Sequence, residues 1–193
     1  MDSSSIIGSD ESLKGDTFGG LVVAAVKADE TGREQLASLG VVDSKRLSDR
    51  QVIRLAEKIR ELCPHHVISL FPFDYNKRVK QAGLTALLNA LHRECYQHVK
   101  PGKHIVDEYP NCAVGDIITT KAESKYVEVA AASILARAAA LQQMEELSRR
   151  AGFTLPLGST HVQEGLEQLR KKGLPFEQFV KVDFKNVQKF LGK

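Results

Sequence analysis

The stretch Ile6-Ile-Gly-Ser-Asp-Glu-Ser-Leu-Lys-Gly-Asp-Thr-Phe-Gly-Gly-Leu-Val-Val-Ala-Ala-Val26 holds two apolar runs, Ile6 to Glu11 and Leu21 to Val26. They are parted by a polar turn through Lys14, Gly15, Gly19 and Gly20. Short apolar runs bounded by turn residues read as strands, so the chain is expected to open on a hairpin. Downstream the period changes. Ser48-Asp-Arg-Gln51 has the spacing of a capping box, and Val52, Leu55, Ile59 and Leu62 follow at helical intervals. His66 to Phe71 reads as a strand, then Leu84, Leu87, Leu88, Leu91 and Cys95 mark one face of a second helix. Lys103 to Val106 and Val114 to Thr119 read as two more strands. Val127, Ala131, Ile134, Ala138, Leu141 and Met144 define a long helix whose alanines let it lie close against a sheet. His161 to Lys172 and Phe176 to Leu191 are expected to be short helices. A hairpin followed by alternating helices and strands predicts an α/β domain with a mixed sheet, its strand order left open.

Length and composition bound the function. At 193 residues, 42% hydrophobic and 26% charged, the chain fits one globular domain with a sizeable core. No apolar run approaches the ~20 residues of a membrane span, and the polar start Met1-Asp-Ser-Ser-Ser5 lacks the order of a secretory signal. A cytoplasmic protein with no membrane partner is expected. Cys63, Cys95 and Cys112 stand far apart with no C-x-x-C pair, so reduced thiols are expected rather than a disulfide framework or zinc site. The net charge is +3, but seven basic residues against Glu177 and Asp183 make the segment from Arg170 to Lys193 +5 and leave −2 elsewhere. A protein that meets a polyanion on one side and holds acidic chemistry on another shows such asymmetry; a solvated lysine-rich tail shows it equally.

The acids carry the chemistry. Asp10 and Glu11 end an apolar strand; adjacent strand residues point to opposite faces, so both serve one site only if the strand frays or bulges there. Asp107 ends the run His104-Ile-Val, and strand ends in open α/β sheets are where ligand sites gather. Glu123 begins the long helix, where Thr120-Lys-Ala-Glu123 also fits a capping box. Clustered carboxylates repel one another and are tolerated chiefly where cations neutralise them; oxygen-only ligands suit Mg2+ or Mn2+. Two such ions can activate a water and stabilise the leaving oxygen in phosphodiester hydrolysis. Lys14, the amides around Gly15 and the basic tail are candidate holders of a phosphate backbone.

Gly8-Ser-Asp-Glu-Ser-Leu-Lys-Gly-Asp-Thr-Phe-Gly19 resembles the opening motif of the ribonuclease HII/HIII family, type 3 in particular, and Val42-Asp-Ser-Lys-Arg-Leu47 is similar to its Asp-Ser-Lys motif. Tyr75-Asn76, the Asp107 strand, Lys121-Ala-Glu-Ser124, Val129 to Arg137 and Lys181 to Asn186 follow in the family's order, so the resemblance spans nearly the whole chain. It implies a ribonuclease H-like α/β fold, a mixed five-stranded central sheet flanked by helices with further C-terminal helices. It implies Mg2+- or Mn2+-dependent hydrolysis of the RNA strand of RNA–DNA hybrids, leaving 5′-phosphate and 3′-hydroxyl ends. It assigns the catalytic, metal-binding acids to Asp10, Glu11, Asp107 and Glu123, the last tilting the subtype toward type 3, and nucleic-acid contacts to Lys14, Gly15 and Lys45. Residues 1–193 are then expected to form one catalytic domain, a monomer, without the N-terminal substrate-binding domain common in type 3.

Two positions depart from the family's pattern, and the first bears on substrate reading. Leu13 stands where the family usually has a glycine that lets the backbone approach the ribose 2′-hydroxyl; leucine adds bulk and disfavours positive φ. Leu13→Gly is therefore expected to raise cleavage, and a lone embedded ribonucleotide to be a poor substrate. Asp183 replaces a common histidine. Two alternatives remain: a type 2-like enzyme incising at single ribonucleotides, separable by an oligonucleotide panel, and a hybrid-binding protein without turnover, separable by a cleavage assay with chelator. Lys181, Lys185 and Lys189 are expected to meet the substrate backbone. His161 is a candidate proton carrier and Ser133 a packing residue; for Arg137 and Tyr126 a place in the substrate groove stays open.

Overall fold

The computed structural model describes residues 5–41, 44 and 47–192. The predicted hairpin is present: β1 (Ile6–Ser12) pairs antiparallel with β2 (Leu21–Ala28). Strands β3 (His65–Leu70), β4 (Lys103–Asp107) and β5 (Ile117–Thr119) complete a mixed five-stranded sheet of order β3-β2-β1-β4-β5. β3 joins β2 antiparallel, whereas β4 joins β1, and β5 joins β4, in parallel.

The sequence of β2, Leu-Val-Val-Ala-Ala-Val, is apolar without alternation because both faces are covered. Val22, Ala24 and Val26 pack in one core with helices α1 (Glu30–Ser38), α2 (Asp49–Leu62) and α5 (Val127–Ala151). Leu21, Val23 and Ala25 pack in another with α3 (Pro72–Ala82) and α4 (Leu84–Val99). The alanines of α5 permit close approach, and Gly8 marks its limit: a Cβ there would lie 2.2 Å from the Val129 nitrogen. This fixes the start of α5 against β1 two residues before Asp10.

The Ser48–Gln51 capping box forms as expected. Two expectations change. The strand expected from Val114 is confined to Ile117–Thr119, since Gly115 adopts φ 98, outside strand geometry. The helix expected over Phe176 to Leu191 is instead a 3-10 turn (Phe176–Gln178), an extended segment and α7 (Lys185–Leu191); α6 (Val162–Lys171) precedes it. Helices α1 and α3 add to the expected set, their sequences carrying no strong apolar period to announce them. Among the described residues no helix is long and apolar enough to cross a membrane, and the three cysteines are unpaired.

Candidate active site

Parallel pairing between β1 and β4 covers only Ile6–Ser9 against Lys103–Val106. Beyond Ser9, β1 continues to Ser12 bonded to β2 alone, leaving a crevice at the ends of the two strands. Asp10 and Glu11 lie on that open edge, and Asp107 closes β4. The register through Asp10↔Ala24 and Glu11↔Val23 is unbroken, so the expected bulge is not needed. Asp10 turns toward α5, where Ser133 lies beside it, and Glu11 toward α4, where it meets His92. Because the sheet stops here, side chains from both faces reach one cavity of about 300 Å3, lined also by Asp107 and Glu123.

Glu123 is not a helix cap. It sits in a 3-10 turn, Ala122–Ser124, entered through Lys121 at φ 54, and α5 begins only at Val127. The Ala122 N–H donates to Asp107 Oδ1 at 2.8 Å, so one acid holds the turn that carries another. Glu123 Oε2 is buried without a hydrogen-bond partner.

The environments of the two strand-end acids push them in opposite directions. Burial, then the neighbouring Glu11 and Asp107, push Asp10 up to about 8, against hydrogen bonds from Ser133 and the Glu11 amide. Burial also acts to raise Glu11, but the contacts with His92 and Lys14 outweigh it and hold the carboxyl at about 2. Lys14 Nζ donates to Glu11 Oε1. Among the described residues no three His, Cys, Asp or Glu side chains cage an ion as they stand. The donor set nevertheless suits a hard divalent cation. It is all oxygen, burial and the neighbouring acids push one carboxyl toward its neutral form, and one buried oxygen has no partner.

The turn after β1 is fastened from the far end of the chain. Phe18 bridges Val180, the Lys181 N–H donates to the Thr17 carbonyl, and Lys181 Nζ donates to the Asp16 and Gly19 carbonyls at 2.5 and 3.1 Å. Lys181 is fully buried, and that burial lowers its pKa to about 7. The expectation that it meets substrate fails: its side chain is taken up by loop carbonyls. Asn76 binds the Glu177 and Val180 carbonyls and the Val182 amide, and Asn186 binds Thr17, so these matching residues serve the same strap. Asp16 accepts from the Gly158 amide, as a turn residue should.

Leu13 does adopt positive φ, 65°, but its side chain is 5% exposed and packs in the core beside Gly19. Although Leu13 borders the cavity, its side chain packs into the core, and the loop keeps the left-handed backbone shape a glycine would take. Gly15 is exposed, and a Cβ there would meet nothing within 4 Å, so packing does not demand glycine at this point.

Lys45 lies outside the described residues, but its flanks are held. Ser44 Oγ bonds Ser133 Oγ at 2.8 Å, while Arg137 donates to the Ser44 and Leu47 carbonyls and to Asp49. Ser133 and Arg137 thus line the cavity and anchor its neighbouring segment. His161 pairs with Glu164 at the start of α6, and neither it nor Tyr126 lines the cavity. The residue missed in the sequence is His92, fully buried on α4. Its signal is a histidine at the helical spacing of Leu88 and Cys95, on a face otherwise apolar.

Residues 7–187 match the ribonuclease HII family. The chain is 39% identical to ribonuclease HIII of Limosilactobacillus fermentum over 96% of its own length and 68% of that protein. Its fold superposes on the Mn2+ complex of Bst-RNase HIII with a TM-score of 0.84, at 35% identity over 98% of this chain and 70% of the other. It is likewise similar to ribonuclease H2 from Pyrococcus horikoshii, with TM-score 0.80 and 25% identity over 96% of both chains.

Proposed function

The chain belongs to the ribonuclease HII family, and on that premise we propose that the crevice at the ends of β1 and β4 hydrolyses the RNA strand of RNA–DNA hybrids. In this reading Asp10, Glu11, Asp107 and Glu123 hold Mg2+ or Mn2+, and the products carry 5′-phosphate and 3′-hydroxyl ends. The observation that carries the assignment is the unpartnered, buried Glu123 Oε2 in one cavity with Asp10, whose carboxyl is driven toward its neutral form. Bound divalent ions would supply charge neutralisation for the acids and activation of a water for attack on the phosphodiester.

The chain's own residues do the rest. Asp107 sets the position of Glu123 through the Ala122 amide. Ser133 lies beside Asp10, and Arg137 holds the Ser44 and Leu47 carbonyls beside the cavity. Lys14 and the uncrowded Gly15 stand at the mouth, placed to meet a phosphate and a ribose edge. The greater identity to ribonuclease HIII than to ribonuclease H2, together with Glu123, favours hybrid tracts over single embedded ribonucleotides.

The test is cleavage of a labelled RNA–DNA hybrid with Mg2+, with Mn2+ and with chelator. Ion-dependent endonucleolytic products are expected. Tight hybrid binding without cleavage at any ion concentration would overturn the reading.

A further inference from the structure

Beneath the carboxylates lies a buried polar chain running through His92 and His104, which none of the matching motifs explains. Ser9 Oγ stands 2.8 Å from His92 Nδ1 and 2.8 Å from His104 Nε2. Ser9 is 0%, His92 0% and His104 3% exposed. His92 Nε2, otherwise without a hydrogen-bond partner, faces Glu11 Oε2 at 3.4 Å, an approach off the line of a full hydrogen bond. The strand explains the grouping: Ser9 and Glu11 are two apart on β1 and share the face covered by α4, while His104 comes from the adjacent β4.

A serine hydroxyl has one proton and lies between two ring nitrogens, so it donates to one and accepts from the other. Burial holds His104 neutral, its pKa lowered to about 4. If Ser9 donated to His104, His92 would have to donate from Nδ1; a neutral His92 would then turn a bare lone pair toward the Glu11 carboxylate. The opposite order removes that mismatch with neutral rings: His104 Nε2–H donates to Ser9, Ser9 donates to His92 Nδ1, and His92 Nε2–H points at Glu11.

We propose that Ser9 and His104 lock His92 in its Nε2–H form, and that His92 is thereby a positioning residue that sets the Glu11 carboxylate for a divalent ion. The chain runs in one direction from His104 to Glu11, and each buried partner removes one rotational or tautomeric freedom from the next. Lys14 holds the other oxygen of Glu11 from the mouth of the cavity, leaving His92 to hold it from within. Groups that orient a metal ligand in this way are commonly worth about 10- to 100-fold in metal affinity.

The inference rests on Glu11 being a metal ligand, and its test separates the two. Nitrogen-15 correlation spectra of the whole chain should show His92 with a proton on Nε2 and none on Nδ1. Calorimetric Mn2+ titration should show affinity reduced about tenfold or more in His92→Phe, which keeps a ring without a donor, and largely restored in His92→Gln, whose amide can reach the Nε2 position. Ser9→Ala, a smaller change, should leave a mixture of His92 tautomers and an intermediate affinity; it replaces His92→Phe as the decisive variant if the latter does not fold. An Nδ1–H tautomer in the wild type, or Mn2+ affinity unchanged in a folded His92→Phe or Ser9→Ala, overturns the positioning role. The control is Asp10→Asn: if it too leaves Mn2+ binding unchanged, the metal site itself is misassigned.

Discussion

Replacing Leu13 by glycine separates what the loop looks like in sequence from what it does in the fold. Leucine at φ 65 carries a left-handed cost of about 1–2 kcal/mol that glycine removes. Its side chain is nearly fully buried, and truncating a buried leucine costs about 3–5 kcal/mol. The packing loss wins, leaving Leu13→Gly less stable by about 1–4 kcal/mol, which for a domain of this size lowers Tm by about 2–16 °C. Leu13→Ala loses most of the packing and keeps the strain, so it should be less stable than the glycine variant. Because the wild-type loop already has the backbone shape of a glycine turn and the Leu13 side chain is buried in the core, Leu13→Gly should not raise kcat/KM on a hybrid tract or on a lone ribonucleotide. Thermal melting of the three proteins and kinetics on both substrates decide the matter. A glycine variant more stable than wild type, an alanine variant more stable than the glycine one, or a gain in cleavage would refute the argument.

Asp10→Asn and Asp107→Asn should each abolish cleavage with the fold intact, checked by activity at saturating Mn2+ beside thermal melting; near-normal turnover in either removes that acid from the site. In chelator, Asp10 should make stability fall with pH. Its folded pKa of about 8 lies above the ordinary 3.8, so the folded chain keeps a proton that the unfolded chain releases, and the benefit present below pH 3.8 is lost as pH rises through 8. The Tm difference between wild type and Asp10→Asn, measured from about pH 5 to 8, should therefore shrink or turn against the wild type; a difference independent of pH contradicts the assignment. Neutralising Lys185 and Lys189 should lower the log–log salt slope of hybrid binding by up to ~0.9 for each phosphate no longer neutralised, and an unchanged slope would make α7 a solvated face. Lys181→Met should instead perturb the turn at residues 13–19, read as weaker amide-exchange protection there, with no such weakening expected from the α7 pair.

The sheet was legible because β1 and β2 carry their signal locally: apolar runs, a glycine turn, and a length that admits little else. The long helix announced itself through its alanine and isoleucine spacing. What escaped depended on distant partners. Glu123 mimics a cap in sequence, yet Asp107 draws the Ala122 amide into a separate turn and delays the helix. Lys181 reads as surface charge until the carbonyls of Asp16 and Gly19 are seen around it. Leu13 reads as an intrusion because its spacing says nothing of Gly19 and the core behind it. His92 could have been suspected from its apolar face, but its link to Glu11 runs through the β1 pleat and appears only once the strand is placed against α4.

The strap across the turn at residues 13–19 has a consequence in time. The chain is made from its amino end, so the sheet and α5 can assemble while Phe179 to Asn186 are still to be added. The turn bearing Lys14 and Gly15 lacks the Lys181 contacts and the bridge to Phe18 until those residues arrive. A nascent chain can thus hold Asp10, Glu11 and Asp107 on finished strands before the surface meant to grip nucleic acid has gained its fastenings, so the means to hold an ion precedes the means to seize a substrate.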